Sequence, residues 1–356
     1  MAVNAKVEYE LEIERVRKSL KKLNIRRVLL QIPNGLKALS WSIIDEIEKD
    51  GIEVVLDSGH TWGLCDIPLQ RAKLVNADCI VHYAHADVKD YFEINGIKVI
   101  MVPCYYKRNI PPKVLEELVR VLKPYKAIGL CSSIQHVKEL LRVGNYLKDR
   151  GFDVYVGRAK TSIFKTGQIT GCNVEASLTI NDYVDAHVCI SGGIFHAVGV
   201  AIATGKDVIS LDPYGGIIEH SRIKKFLKRV LAKKLYNLMT AIEAEKFGII
   251  ISQKLGQCKV ALALKIKKIL ERWGKKAVIL VFDEIEPATI INVKGIDVFI
   301  NTACPRLAID ELDSFEGITM INSGEVKYVI SGNLENYNLK DALSWSINLN
   351  FLKLSN

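Results

Sequence analysis

One pattern of apolar runs and helices, repeated three times, constrains this chain more than anything else in its sequence. Each copy opens with a short apolar run, continues into an amphipathic helix and returns to a second apolar run. In the first copy these are Val28–Ile32, a helix around Ala38–Lys49 and Val54–Leu56. In the second they are Ala127–Leu130, Val137–Arg150 and Val154–Val156. In the third they are Gly248–Ile251, Lys259–Trp273 and Ala277–Val281. A third run follows in each copy (Cys79–Tyr83, His187–Ser191, Asp297–Asn301), then a fourth (Lys98–Val102, Asp207–Leu211, Ile318–Ile321). The third runs recur about every 110 residues, far beyond the roughly 20–50 residues of solenoid repeats. The runs are continuous rather than alternating, which predicts parallel strands buried on both faces. The fold class expected is therefore α/β, with three pseudo-repeated domains, each a small parallel sheet flanked by helices. Their predicted bounds are 1–108, 109–236 and 237–356. A length of 356 residues suits several modest cores better than one.

Ligands in such sheets gather beyond the carboxyl ends of the strands. Three cysteines fall there. Cys65 (Gly63-Leu64-Cys65-Asp66) and Cys172 (Gly171-Cys172-Asn173) lie in loops after second strands, and Cys304 (Ala303-Cys304-Pro305-Arg306) follows a third strand. The third copy carries Asp283-Glu284-Ile285-Glu286 after its second strand and its cysteine one loop along. Repeats packed around a common centre would bring three thiolates together, the donor set of an iron–sulfur cluster with one iron open to substrate. Eight cysteines in a chain with no visible secretory signal are not a disulfide framework. Cys79, Cys131, Cys189 and Cys258 read as small buried hydrophobes, and Cys104 as part of a pocket wall.

The same edges hold further groups: Pro33-Asn34-Gly35-Leu36 after the first strand, Gly192-Gly193-Ile194-Phe195-His196 after the third strand of the second copy, and Asp212-Pro213-Tyr214 after its fourth. Glycine there lets a ligand approach the backbone. Asp212-Pro213-Tyr214 reads equally as a plain turn. Neither a dinucleotide fingerprint nor a Walker lysine motif is present. His82, His85 and His196 could join a cysteine around zinc, but their spacing fits no standard zinc motif.

Charge and hydropathy narrow the setting. With 49% hydrophobic and 25% charged residues the composition is that of a globular protein. No apolar run approaches the roughly 20 residues of a membrane span. Met1–Lys22 is a charged helical pattern, so the expected location is the cytoplasm, with no membrane association. Much of the net charge of +9 lies in Arg222–Leu235, a basic amphipathic helix. It reads as a solvated connector, with docking to an acidic macromolecule as the alternative. No nucleic-acid-binding motif accompanies it. The hexapeptide Ala38–Ile43 recurs as Ala342–Ile347 in different surroundings and reads as coincidence.

With its Gly-rich loop ending at Cys65, His82-Tyr83, Gly167-Gln168-Ile169-Thr170-Gly171-Cys172, Gly192–His196 and Asn301–Arg306 in this order, the chain resembles the family of archaeal enzymes of the first step of diphthamide biosynthesis. The resemblance covers nearly the whole chain. It implies three similar α/β domains in a triangle, a homodimer, and a 4Fe–4S cluster bound by Cys65, Cys172 and Cys304. It implies S-adenosylmethionine as co-substrate, cleaved at its methionine Cγ–S bond. It further implies transfer of the 3-amino-3-carboxypropyl radical to imidazole C2 of a histidine in translation elongation factor 2, with an electron donor the sequence does not name. Gln31, His196 and Arg306 are the candidates for the amino and carboxylate groups of S-adenosylmethionine. Pro33, Gly35, Gly192, Gly193, Phe195, Asp212 and Pro213 complete the expected pocket. His60, Leu64, Asn34 and Ala84 depart from residues common in the family. The rival readings are a quinolinate synthase-like 4Fe–4S dehydratase and a non-catalytic electron-relay subunit.

Overall fold

The structure is a computed structural model that describes residues 8–160, 163–216, 218, 220–311 and 313–344. Three sheets form, one per copy. The first contains β1 (Arg27–Gln31), β2 (Glu53–Asp57), β3 (Cys79–Tyr83), β4 (Tyr91–Ile94) and β5 (Ile97–Val102), in the order β2-β1-β3-β5-β4. The second contains β6 (Ala127–Ser132), β7 (Asp153–Tyr155), β8 (Ala186–Ile190) and β9 (Asp207–Leu211), in the order β7-β6-β8-β9. The third contains β10 (Lys246–Ser252), β11 (Lys276–Phe282), β12 (Val298–Asn301) and β13 (Met320–Asn322), in the order β11-β10-β12-β13. Every pairing is parallel except β4 with β5.

The helices between first and second strands arise from apolar stripes. Ile43, Ile44 and Ile47 are buried on Ser40–Glu48, Leu140, Val143 and Leu147 on Glu139–Lys148, and Ala263, Ile266, Ile269 and Leu270 on Val260–Arg272. Each helix is followed by a glycine in the left-handed region, Gly51, Gly151 or Gly274, which turns the chain into the second strand. A second device recurs. One carboxylate oxygen of Asp78 accepts the backbone N–H groups of Arg26 and Arg27, Asp185 those of Lys126 and Ala127, and Asp297 those of Glu245 and Lys246. An aspartate just before each third strand thus anchors the entry of the first. These two donors hold the Asp185 carboxyl below the ordinary carboxylate range.

First, third and fourth strands are buried, as their apolar runs predict. Val28, Leu30, Val81, Tyr83, Ile100 and Val102 pack on one face of the first sheet, and Leu29, Ile80, Val99 and Met101 on the other. Second strands depart from the expectation. β2, β7 and β11 are half-exposed because each is an edge strand. The antiparallel β4 was not foreseen; it extends the first sheet on its far side. The helical pattern read across Met1–Lys22 becomes a helix over Ile13–Lys22, and residues 1–7 lie outside the described residues. So do residues 345–347 of the second hexapeptide. The basic segment lies within a long helix, His220–Glu243.

The chain divides into two compact units. One comprises Met1–Val200 and Lys206–Glu219 and carries the first two sheets. The other comprises Ala201–Gly205 and His220–Asn356 and carries the third. No described helix is long and apolar enough to cross a membrane.

Candidate metal centre

The eight cysteines sort by position, and none of them is in a disulfide. Cys79, Cys131 and Cys189 lie inside strands. Burial pushes the Cys79 thiol up to about 12, and a hydrogen bond with Cys131 together with burial pushes Cys189 far above the ordinary thiol range. Cys79 and Cys189 are protonated core thiols, and Cys131 is buried beside them in its strand, as expected. Cys104 belongs to the core of the first sheet rather than to a pocket wall. It packs among Leu11, Val16 and Tyr83, and burial raises its thiol too. Cys258 is exposed, contrary to expectation, because it precedes the helix whose apolar stripe begins only at Ala263. Cys65, Cys172 and Cys304 are the partly exposed ones, each on a loop beyond the carboxyl end of a strand.

The Cys65 loop is built by polar side chains. Asp57, at the end of β2, accepts the Gly59 N–H at 3.2 Å and pairs with Arg71 at 2.9 Å. Lys37 Nζ donates to the Ser58 and Gly59 carbonyls at 2.7 and 2.6 Å. The Asn34 amide donates to His60 Nδ1 at 2.8 Å, and His60 stacks on Trp62. The segment after Pro33 thus becomes a 3-10 turn, Asn34–Leu39, clasping this loop, with open space in front of Gly35. Asp66 closes the turn. Its N–H donates to the Gly63 carbonyl, its carboxylate accepts from Trp62 N, and its carbonyl accepts from Gln31 Nε2 at 2.7 Å. Gln31 has no exposed surface, and its other amide end takes a hydrogen bond from His82. It supports the Cys65 loop.

Cys172 sits in a tight loop in which Thr170 N–H donates to the Asn173 carbonyl and Asn173 N–H to Thr170 Oγ1. Thr170 Oγ1 lies 3.7 Å from Cys172 Sγ. Gly171 lets the exposed Phe195 ring pack close to the backbone. A Cβ there would stand 2.1 Å from the Phe195 ring. Phe195 is exposed and meets the His196 ring edge-on at 5.3 Å. Asp212 forms a turn and also reaches the glycine pair. Its Oδ1 accepts Tyr214 N–H at 2.8 Å and its Oδ2 accepts Gly193 N–H at 3.1 Å. Pro213 sits inside that turn. Gly192 and Gly193 are exposed, and a Cβ on Gly192 would meet the Tyr214 ring. Tyr214 OH is 3.0 Å from His136 Nε2, and burial lowers the His136 imidazole to about 4.

In the second unit Asn301 and Asn322 organise the Cys304 loop. Asn301 Nδ2 donates to the Cys304 carbonyl at 2.7 Å and to Asn322 Oδ1 at 2.8 Å, and Asn301 Oδ1 accepts Ala303 N–H. Asn322 Nδ2 donates to the Pro305 carbonyl at 2.8 Å. Arg306 is buried and held side-on by Asp310, through Nε to Oδ2 and through Nη2 to Oδ1 at 2.7 Å. Its first partner is therefore in its own helical turn.

Cys65 and Cys172 belong to the first unit and Cys304 to the second. Among the described residues no three His, Cys, Asp or Glu side chains form a group that could hold a metal ion. Four of the other five thiols are buried, and the fifth, Cys258, is exposed in the loop after β10, just before the helix Val260–Arg272. Reading the sequence missed Asp66, Thr170, Gln168 and Asn322 as loop supports. Only their place next to a cysteine or at a strand end could have flagged them.

The sequence matches the family described as "Putative diphthamide synthesis protein" over residues 32–339. It is 29% identical over 303 residues to the 2-(3-amino-3-carboxypropyl)histidine synthase of Pyrococcus horikoshii, covering 85% of each chain. It is 27% identical over 323 residues to the enzyme of that name from Methanocaldococcus jannaschii, again covering 85% of each. The fold is similar to the crystal structure of Dph2 from Pyrococcus horikoshii with a 4Fe–4S cluster. The TM-score is 0.81 at 28% identity, covering 93% of this chain and 94% of that one.

Proposed function

The chain belongs to the diphthamide synthesis protein family, and on that premise we propose that it is a 2-(3-amino-3-carboxypropyl)histidine synthase. The observation that carries this reading is the likeness to a cluster-bearing relative along almost the whole chain. The position of three part-exposed cysteines on strand-end loops supports it further. Cys65, Cys172 and Cys304 are the proposed ligands of a 4Fe–4S cluster, contributed by the three repeats 1–108, 109–236 and 237–356. A reduced cluster held there would supply the electron for splitting S-adenosylmethionine into methylthioadenosine and a 3-amino-3-carboxypropyl radical. Addition of that radical to imidazole C2 of a histidine in translation elongation factor 2 would be completed by loss of the C2 proton and one electron, leaving the net transfer redox-neutral.

The protein's part is orientation, because the three C–S bonds of the sulfonium differ little in strength. The open backbone at Gly35 and Gly193, with Gly192, Pro33, Phe195, His196, Asp212 and Pro213 around it, is assigned to S-adenosylmethionine. Arg306, held by Asp310, is assigned to the substrate carboxylate. On this reading the enzyme works in the cytoplasm as a homodimer, with a separate electron donor.

The test is anaerobic reconstitution with iron and sulfide, reduction with dithionite, and incubation with S-adenosylmethionine. Methylthioadenosine as the main nucleoside is the expected product. 5′-Deoxyadenosine, or a cluster that forms and yields neither nucleoside, overturns the reading.

A further inference from the structure

A chain of buried and partly buried groups at the end of β3 links the two cysteine loops of the first unit. Gln31 Nε2 donates to the Asp66 carbonyl at 2.7 Å, and Asp66 is the residue after Cys65. Because that end of the amide must be the donor, Gln31 Oε1 faces His82, and His82 Nδ1 carries the proton. Burial lowers His82 far below the ordinary imidazole range, so the ring is neutral and its Nε2 is an acceptor. It lies 2.7 Å from His85 Nδ1, which is therefore the donor. The backbone of the same turn continues the link. Gln168 Nε2 donates to the His85 carbonyl at 3.3 Å, and Lys165 N–H donates to Gln168 Oε1 at 2.9 Å. Gln168 is buried and lies four residues before Cys172. Gln135 Nε2 donates to the Ala84 carbonyl, and Ala84 itself stands at φ 80°. The turn Ala84–His85 is thus pinned from both sides in a conformation a non-glycine residue rarely adopts.

We infer that Gln31, His82, His85 and Gln168 form a positioning network that fixes the Cys65 loop and the Cys172 loop relative to each other. The inference rests on the proposed function in taking both cysteines as ligands of one cluster. A cluster needs its sulfurs at set distances, and support from outside the ligands themselves is what holds donors there. The network has direction. His82 faces the Cys65 side through Nδ1 and the Cys172 side through Nε2, so one residue can be altered to cut one link and keep the other.

The test uses the full chain and follows backbone hydrogen exchange at Trp62 and Asp66, whose N–H groups are bonded within the Cys65 loop, and at Gln168 and Thr170, bonded near Cys172. His82→Asn keeps a donor near Nδ1 and loses the acceptor. It is expected to speed exchange about tenfold at Gln168 and Thr170 alone. His82→Gln keeps a polar group near Nε2 and is expected to speed exchange at Trp62 and Asp66 alone. His82→Leu is expected to loosen both loops. In each, the reconstituted cluster should lose its visible absorbance to a chelator several-fold faster than wild type. Amides of β8 and β9 serve as the control and should not change. Equal protection in all variants, or a uniform loss that includes β8 and β9, overturns the network. Should every His82 variant fail to fold, Gln168→Leu cuts only the last link and must loosen the amides of Lys165, position 168 and Thr170 while leaving Trp62 and Asp66 unchanged. Unchanged protection there overturns the inference equally. A full cluster in Cys65→Ala or Cys172→Ala would sink the ligand reading instead, leaving the exchange result to stand by itself.

Discussion

Lys234 and Glu325 form an ion pair with no exposed surface on either side chain, Nζ and Oε2 being 2.7 Å apart. Glu325 is also the hub of the Cys304 side of the molecule. Its Oε2 accepts Asn322 N–H at 2.7 Å and its Oε1 accepts Tyr337 OH at 2.7 Å. Asn322 in turn holds the Pro305 carbonyl, next to Cys304. A lysine on the long basic helix is therefore part of the support of a candidate ligand loop.

Removing one partner leaves the other charge buried and uncompensated. Lys234→Met is expected to cost about 3–5 kcal/mol in urea unfolding, with the double variant Lys234→Met/Glu325→Gln recovering part of that. A loss below about 1 kcal/mol in the single variant would show that the pair does not hold this region together.

Stability should fall on mild acidification. Burial lowers His136 and His187 to about 4 from an ordinary 6.5. The unfolded chain then binds more protons than the folded one between pH 6.5 and 4. Stability is full above 6.5 and declines as pH drops through that window, by up to about 3 kcal/mol for each ring. Urea midpoints measured from pH 7 to 4.5 should show this decline, and His136→Gln with His187→Gln should make it shallower, the remainder coming from His82 and His85, which burial also lowers. An unchanged slope in that double variant would remove these histidines as the cause.

Iron binding should separate the cysteines. Cys65→Ala, Cys172→Ala and Cys304→Ala are each expected to lose most of the reconstituted iron and all methylthioadenosine formation. Cys79→Ala and Cys189→Ala, in the sheet interiors, should keep both while losing some stability. Full iron content in any of the first three would take that residue off the ligand set.

Gly157 lies just beyond β7, where a Cβ would stand 1.9 Å from the Ala176 carbonyl oxygen in the helix Glu175–Leu178 that follows Cys172. Backbone cannot swing aside as a side-chain tip can. Gly157→Ala is expected to cost about 1–3 kcal/mol and to weaken cluster retention. Wild-type melting and cluster stability together would mean the helix shifts freely.

Central strands were legible because burial on both faces writes an uninterrupted apolar run. Cys79–Tyr83 and Asp207–Leu211 coincide with the observed strands. Edge strands were legible as strands but not as edges. β11 is as apolar as β10, yet has a neighbour on one side only. β4 carries no such run and takes its partner from a turn at Asn95-Gly96. The three cysteine loops stood out by type and place. Their supports did not, because a buried glutamine or asparagine declares itself only once a carbonyl such as that of Asp66 or Pro305 needs its donor. Arg306 shows the reverse: the sequence offered it to a substrate, and the fold gives it Asp310 first.

Each sheet draws its strands from one unbroken stretch of chain, β1–β5 from residues 27–102, β6–β9 from 127–211 and β10–β13 from 246–322. A ribosome making this protein therefore releases each sheet as a finished set of strands before the next has begun to emerge. Cys65 and Cys172 leave the exit tunnel well ahead of Cys304. With the proposed ligands, the nascent protein carries two waiting thiols through the synthesis of more than a hundred further residues. Metal loading becomes the last step in its manufacture, and the interval before it is when oxygen can do the most harm.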